Sequence, residues 1–273
     1  MILPNLLVKK LVEKYENYEI GLSCDTEYIS QKNKILSKRI ITHQDFYHFI
    51  ETTTKNKFTY FLYDSSIIFT TIKKLFIPQI ENIIINDVKF KVMRYIKFNI
   101  FSMDIIDSVS NIIRQANEKH LILDLRSNIG GNLQSCLNLV NMLVPKGKVL
   151  EIQNKEGVNY FYSSGNHKSF ERIYVLVSES TASCSEILSM ILQKKLNNVV
   201  LIGYKENFKL YTQHVITNKL FRYSFSIADG IWTVDGEDAS KLRNYLFAKD
   251  GNFNNLNEYL KIVLMIHNNY ACQ

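Results

Sequence analysis

The chain has 273 residues, of which 46% are hydrophobic and 22% charged, with only 3 Pro and 10 Gly. This composition excludes disordered and collagen-like proteins and predicts a folded chain with either one large domain or two lobes. The net charge is +7, but the lysines are spread along the chain. The sequence therefore favours a generic basic surface over a nucleic-acid site.

The cysteines and the N-terminal residues give expectations about cellular location and about metal or organic cofactors. The four cysteines form no CxxC word and no Cys/His cluster, which disfavours a zinc site or a disulfide framework. They are Cys24, Cys136, Cys184 and Cys272. The opening MILPNLLVKK has an apolar run too short for a secretory signal, and no stretch of 18 apolar residues occurs. We therefore expect a cytoplasmic protein with reduced thiols, no metal or organic cofactor and no membrane insertion.

The first 75 residues combine helical and extended patterns. Thr42 is a predicted N-cap, and Phe46, Phe49 and Ile50 would share one face of the helix that follows. Two aromatic and β-branched runs joined by a DS pair predict a hairpin. In chain order, the predicted elements are a helix at 4–15, a strand at 18–24, a helix at 42–53 and a hairpin with strands at 58–63 and 66–72.

From residue 90 onwards, predicted strands alternate with predicted helices. The strands are 91–100, 120–126, 147–153, 158–163, 172–178 and 198–203; the helices are 104–118, 133–144, one from Ser183 and a last one at 256–270. The run HLILDLR is continuously apolar, as in parallel strands buried on both faces. This order predicts an α/β fold, a mostly parallel sheet covered by helices, with chemistry beyond the carboxyl ends of the strands.

Two loops follow strands of this sheet and would meet at the same edge. SNIGGN follows the strand at 120–126, and its Gly130 and Gly131 can leave backbone N–H groups facing an anionic oxygen. ESTASCSE follows the strand at 172–178 and leads into the helix from Ser183. The sequence therefore predicts a site where these loops approach each other.

Ser183 has two interpretations that the motif alone leaves open. The spacing S-x-x-E at Ser183 and Glu186 is a capping box, which would explain the serine as an N-cap. A serine at a helix N-terminus is also placed to act as a nucleophile. The N–H of the next residue, Cys184, and the helix dipole would both stabilise an oxyanion.

A nucleophilic serine requires a base, and lysine is a better candidate here than histidine. No histidine follows a strand beside an obvious orienting carboxylate; the six are His43, His48, His120, His167, His214 and His267. Burial can lower the pKa of a lysine from about 10.4 towards about 7–8, which makes it a usable base. Lys209, with Phe208, Leu210 and Tyr211 around it, has the apolar neighbours that this requires.

Three residues near these loops are expected to be structural. Asp124 and Arg126 in LILDLR predict an internal ion pair rather than catalytic groups. Cys184 is expected to be a small buried residue at the start of a helix, because no neighbouring base marks it as a thiol nucleophile.

Four segments of the chain together resemble one known family. They are HLILDLRSNIGGNL, VPKGKVL, IYVLVSESTASCSEIL and NVVLIGYKENFKLYTQ. In order and spacing they resemble the carboxyl-terminal processing, or tail-specific, proteases of family S41, whose consensus reads LxLDLRxNPGGxL, FLPKGxVV, VLVNxxTASASEI and VVGExTFGKGxVQ. The resemblance covers residues 89–235. It implies an S41-type, ClpP/crotonase-like core, serine peptidase activity and no cofactor.

The resemblance also implies roles for individual residues. Ser183 falls on the nucleophile, Lys209 on the general base, and Gln213 on the residue that orients the lysine in some members. Gly130 and Gly131 fall on the glycines of the NxGG loop. The N–H of Gly131, together with the N–H of Cys184, which follows the nucleophile, would form the oxyanion hole.

The chain departs from the family pattern in three places. Phe208 stands where the family has the Gly before the base, and Ile129 stands where it has the Pro of NPGG. The spacing from Ser183 to Lys209 is one residue longer than the family's. If the register shifts at that extra residue, Lys205 becomes the candidate base instead.

The resemblance suggests a division into two regions. Residues 1–88 would hold an N-terminal helix and a degenerate PDZ-like region, and residues 89–273 the S41-type protease core. Many family members carry a PDZ domain that delivers substrate C-termini, and residues 18–75 resemble its second half. The usual carboxylate-binding loop and the GSPA and GL..GD words are missing, so capture of a substrate tail by strand addition is left open.

Three functional hypotheses follow. The main one is a serine endopeptidase with a Ser-Lys dyad that cleaves flexible tails or leaders of small proteins and peptides. The second is a peptide-binding protein with the same fold that has lost catalytic activity because its lysine segment is altered. The third is a Ser-His hydrolase with His48 or His214 as the base. The expected partner is a peptide or protein substrate and not a nucleic acid, and a homo-oligomer is left open.

Overall fold

A computed structural model describes residues 1–19, 22, 25–54, 56, 59–63, 81–83, 93–205, 208–242 and 255–271. The chain forms two compact units. The first comprises residues 1–74, 152–159 and 211–232, and the second comprises 75–151, 160–210 and 233–273. Among the described helices, none is both long enough and apolar enough to cross a bilayer.

The described elements are named here in chain order. They are β1 (Ile2–Leu3), α1 (Asn5–Tyr18), α2 (Thr26–Leu36), β2 (Ile41–Thr42), α3 (His43–Thr53), β3 (Tyr60–Tyr63), β4 (Glu81–Ile83), β5 (Met93–Lys97), α4 (Met103–Gln115), β6 (His120–Asp124), α5 (Leu133–Leu143), β7 (Gly147–Asn154), β8 (Gly157–Ser163), β9 (Arg172–Val177), α6 (Cys184–Lys195), β10 (Val199–Gly203), β11 (Tyr211–Asn218), β12 (Tyr223–Thr233) and α7 (Leu256–Ala271).

The second unit is built on a five-stranded sheet in the order β10-β9-β6-β5-β4. The first four strands are parallel and β4 pairs antiparallel with β5. Every residue of β6 is buried, including His120 and Asp124 at its ends, and the three residues between them are apolar, as expected for a central strand. The prediction of a mostly parallel sheet in an α/β fold is confirmed.

The helices of the second unit supply much of its core. Residues Cys184–Leu192 of α6 are all buried, which fits a helix enclosed on all sides rather than one on the surface. From α7, the side chains of Tyr259 and Val263 pack in one cluster with Tyr95 and Tyr174 of the sheet. The start of α6, where Ser183 lies, is thus fixed by a deeply embedded element.

The first unit has its own aromatic core. Strand β12 pairs antiparallel with both β3 and β11, and Phe61 lies opposite Phe225 in the β3–β12 register. Phe46 of α3 contacts both rings edge-on, with centroids 4.8 Å and 5.5 Å away. Tyr15 of α1 also contacts Phe225 edge-on. Helices α1 and α3 therefore cover this sheet through aromatic contacts.

Several predictions for the N-terminal region were wrong or fall outside the described residues. The strand predicted at 18–24 is contradicted at its start, because Tyr18 is the last residue of α1. Helix α2 was not predicted; Asp25 caps it by accepting the N–H groups of Glu27 and Tyr28. The first hairpin strand is present as β3, but the second, at 66–72, lies outside the described residues.

The first unit draws on more of the chain than residues 1–88. It includes residues 152–159 and 211–232, and β3 pairs with β12 rather than with a following hairpin strand. A PDZ-like arrangement of residues 18–75 is not confirmed. The peptide-binding role suggested for that region therefore stays a prediction.

Candidate active site

Ser183 occupies a strained turn between β9 and α6. Its backbone has φ 56° and ψ −120°, a region that costs a residue with a side chain about 1–3 kcal/mol and that clusters at functional sites. The turn is fixed by Thr181, whose hydroxyl donates to the carbonyl of Leu125 at 2.8 Å and accepts the N–H of Ser178 at 2.9 Å. The serine therefore sits on a sharp strand-to-helix turn held by the neighbouring loop.

The Glu186 carboxylate makes its half of the capping box predicted from S-x-x-E. The N–H of Ser183 donates to Oε2 of Glu186 at 2.6 Å, and the N–H of Glu186 donates to the carbonyl of Ser183 at 2.9 Å. An ordinary N-cap residue has an extended backbone, which Ser183 does not. The capping contact is therefore real, but it accounts for neither the positive φ nor the sharp turn.

The NxGG loop touches the Ser183 turn directly. Asn128 organises the loop: its side chain accepts the N–H of Gly130 at 2.9 Å and donates to the carbonyl of Phe98 at 2.9 Å. The carbonyl of Asn128 accepts the N–H of Ala182 at 3.0 Å. A Cβ added to Gly130 would lie 2.6 Å from the Cβ of Ser183. The two predicted loops therefore meet, and only glycine fits at position 130.

The two glycines differ in what their N–H groups can do. The N–H of Gly130 is used by Asn128, so Gly130 is corrected from a candidate oxyanion donor to a residue that permits close approach. Within the described residues, the N–H groups of Gly131 and Cys184 have no acceptor. The nitrogen of Cys184 would lie 3.0 Å from a Cβ on Gly130. These are the two donors that the sequence assigned to the oxyanion hole.

Lys209 lies beside this turn in a poorly solvated position. Burial lowers the pKa of its side chain, against the opposing effects of Glu186 and Cys184, which raise it. Its backbone N–H donates to Oε1 of Glu186 at 3.0 Å. The two oxygens of one carboxylate therefore accept the backbone N–H of Ser183 and that of Lys209, which joins the start of α6 to the segment before β11.

Lys205 is paired with the same carboxylate. Its Nζ lies 3.3 Å from Oε1 of Glu186, with side chains only 5% and 1% exposed. The Nζ also lies 3.4 Å from the carbonyl of Glu179 and 5.6 Å from the ring centre of Phe208. Burial raises the pKa of Glu186 and Lys205 opposes that rise. The sequence presented Lys205 only as an alternative base and gave no indication of this pair.

The thiols near the site are buried and make local contacts. Cys184 Sγ lies 3.2 Å from the carbonyl oxygen of Gly131, and Cys136 Sγ lies 3.4 Å from the carbonyl oxygen of Cys184. The interaction between the two thiols lowers the pKa of Cys184 and raises the pKa of Cys136. The expectation that Cys184 is a small buried residue at the start of a helix is confirmed.

The remaining candidates lie in the first unit. Gln213 is on β11 at a bulge, and its Nε2 donates to the hydroxyl of Ser226 at 2.8 Å. Its predicted role of orienting the lysine stays a prediction. His214, on the same strand, stacks on Tyr18 with ring centres 4.5 Å apart, and His48 lies on α3.

Asp124 and Arg126 form the internal ion pair that the sequence predicted. Arg126 donates to both carboxylate oxygens at 2.7 Å and 2.8 Å, and Tyr95 donates to the same group at 2.6 Å. The guanidinium lies 4.6 Å from the ring centre of Tyr259, whose hydroxyl donates to Val177. This network anchors the loop after β6 to the end of β9.

Comparison with known proteins shows which proteins part of the chain resembles. Residues 93–224 match the family model of peptidase family S41. The chain is 31% identical over 115 residues to a carboxyl-terminal-processing protease of Synechocystis, and 32% identical over 102 residues to the carboxy-terminal processing protease CtpA of Bacillus subtilis. These alignments cover 41% and 37% of the chain, but only 27% and 21% of the relatives.

Solved structures share the fold. A lipoprotein from Streptococcus agalactiae superposes with a TM-score of 0.69 over 92% of this chain and 94% of that one, at 16% identity. A putative S41 protease from Bacteroides fragilis gives a TM-score of 0.55 over 70% of this chain and 57% of that one, at 18% identity. Residues 93–224 of the chain, just under half of it, resemble peptidase family S41 in sequence.

Proposed function

We propose that the protein is a serine endopeptidase in which Ser183 is the nucleophile and Lys209 the general base. One observation carries the proposal. A single buried carboxylate, that of Glu186, binds the backbone N–H of Ser183 at 2.6 Å and that of Lys209 at 3.0 Å. A strained serine and a desolvated lysine are thereby held to the same group, and burial lowers the pKa of the lysine as a base requires.

The chemistry follows the usual two steps of acyl transfer. The neutral Nζ of Lys209 takes the hydroxyl proton as Oγ of Ser183 attacks the carbonyl carbon of the scissile bond. The N–H groups of Gly131 and Cys184 donate to the oxyanion. The C–N bond then breaks, Lys209 returns the proton to the leaving amine, and an ester remains on Ser183. Water, deprotonated by Lys209, hydrolyses the ester.

The substrate in this proposal is a flexible tail or leader of a small protein or peptide. Ser183 lies on a turn enclosed by the NxGG loop and the buried helix α6. An extended segment can reach such a serine, whereas a folded surface cannot. The relatives from Synechocystis and Bacillus subtilis are named for carboxyl-terminal processing, which supports a chain end as the substrate.

The proposal is tested by incubating the purified protein with unstructured peptides of varied C-termini and measuring product masses. We expect a pair of products whose masses add up to the peptide plus one water, and no products from Ser183→Ala. If the peptides bind but stay intact, the protein is a binding protein on this fold. If Lys209→Ala keeps full activity while His48→Ala or His214→Ala loses it, a histidine is the base.

A further inference from the structure

The Glu186 carboxylate is buried beside a small cavity. The described residues that line this cavity with Glu186 and Lys205 come from β9, the turn before α6, α6, β10, the segment after β10 and Leu242; they include Thr181, Ser189, Leu201 and Phe208. Among these described neighbours, Lys205 carries the charge that meets the carboxylate, at 3.3 Å. Glu186 and Cys184 both act to raise the pKa of Lys209.

A buried carboxylate without a cation would act against the proposed base. Burial favours its neutral form, and a protonated carboxyl group has one oxygen fewer with which to accept an N–H. If it stayed charged instead, its field would raise the pKa of Lys209, since Glu186 already acts in that direction. Either outcome lowers the fraction of molecules with a correctly placed, neutral Lys209 at neutral pH.

We propose that Lys205 is a positioning residue: by pairing with Glu186, it keeps that carboxylate charged and fixed as the bracket between the backbones of Ser183 and Lys209. The inference rests on the proposed function and adds a second lysine to it, one that touches no reacting atom. It also gives separate roles to two lysines four residues apart: Lys205 pairs with the carboxylate, and the backbone N–H of Lys209 donates to it.

The test is the rate at which a fluorophosphonate labels Ser183, measured from pH 5 to pH 10 in four variants. In Lys205→Met we expect labelling at pH 7 to fall by roughly 10- to 100-fold. The pH at which the rate rises should shift by about 1 unit, to higher pH if Glu186 stays charged and to lower pH if Glu186 becomes neutral. Lys205→Arg keeps the charge and should restore most of the rate. Glu186→Gln removes the anion. The pH at which its labelling rate rises should therefore be lower than in the wild type or unchanged, and its maximum rate should be lower.

The fourth variant, Lys195→Met, is the matched control. Lys195 lies on the same helix as Glu186 and pairs with Asp235 at 2.5 Å, away from the bracket. We expect its rate and pH curve to equal those of the wild type. Should Lys205→Met not fold, the double variant Glu186→Gln/Lys205→Met removes both buried charges and takes its place, with a low rate expected at every pH.

The outcomes separate the two proposals. A folded wild type that takes no label contradicts the proposed peptidase and, with it, the role of Lys205. A labelled wild type together with a Lys205→Met variant that has the same rate and pH curve overturns the positioning role alone. A lower rate and a shift of the pH curve in either direction in Lys205→Met, both reversed in Lys205→Arg, support it, because loss of stability alone would lower the rate without moving the curve.

Discussion

Replacing Gly130 by alanine tests how closely the NxGG loop approaches the Ser183 turn. The new Cβ would lie 2.6 Å from the Cβ of Ser183, 2.7 Å from the carbonyl oxygen of Ala182 and 3.0 Å from the nitrogen of Cys184. Carbon atoms in favourable contact are about 3.5–4.0 Å apart, so the Ser183 contact is about 1 Å too short. The backbone at Gly130 also has φ +96°, which strains any residue with a side chain.

The expected cost has two parts. Overpacking of a closed site costs about 1–3 kcal/mol, and a sparsely populated backbone conformation adds about 1–3 kcal/mol. We expect Gly130→Ala to lose about 2–6 kcal/mol of unfolding free energy in urea titrations. Because Ser183 must move to relieve the contact, we also expect fluorophosphonate labelling to slow by roughly 100-fold.

Gly236→Ala is the matched control for the strain. Gly236 has φ +76°, and nothing lies within 4 Å of the Cβ position, so the substitution adds strain without a clash. We expect a smaller loss of stability and a labelling rate close to that of the wild type. The reasoning is refuted if Gly130→Ala is no less stable than Gly236→Ala and labels at the wild-type rate.

Three further predictions concern the site and its support. Lys209→Arg keeps a cation that cannot act as a base, so labelling should be lost; in the wild type the rate should rise with pH through a pKa below 10.5, since burial lowers the pKa of Lys209. A flat pH curve would contradict that role. Cys184→Ala keeps the N–H but removes the thiol, so peptide mapping should still find the label on Ser183. Asp124→Asn should cost about 3–5 kcal/mol in urea titrations, because it removes the buried carboxylate that pairs with the half-buried Arg126.

The second unit could be predicted from its sequence because local signals agree with the fold there. The continuously apolar strand at β6 and the amphipathic pattern of α4 each indicate one structure, and their alternation indicates a parallel sheet. Resemblance to a family then placed Ser183 and Lys209. Their approach to a common carboxylate follows from the way parallel strands bring the ends of separate segments to one edge.

The first unit and the contacts of the Glu186 carboxylate could not be predicted, for physical reasons. Helix α2 is short and mostly polar, so only its cap at Asp25 marks it. Strand β3 pairs with β12, which is far away in the chain, and no local pattern specifies such a partner. The pairing of Lys205 with Glu186 depends on burial and on tertiary distance. Neither quantity is visible in the spacing of charges along a sequence.

The most direct test of the account is the mass of the intact protein after treatment with a fluorophosphonate at pH 8. We predict one adduct per chain, mapped to Ser183, absent from Ser183→Ala and strongly reduced in Lys209→Arg. A folded wild type that stays unlabelled, or a label that persists in Ser183→Ala, would contradict the assignment of Ser183 as the nucleophile.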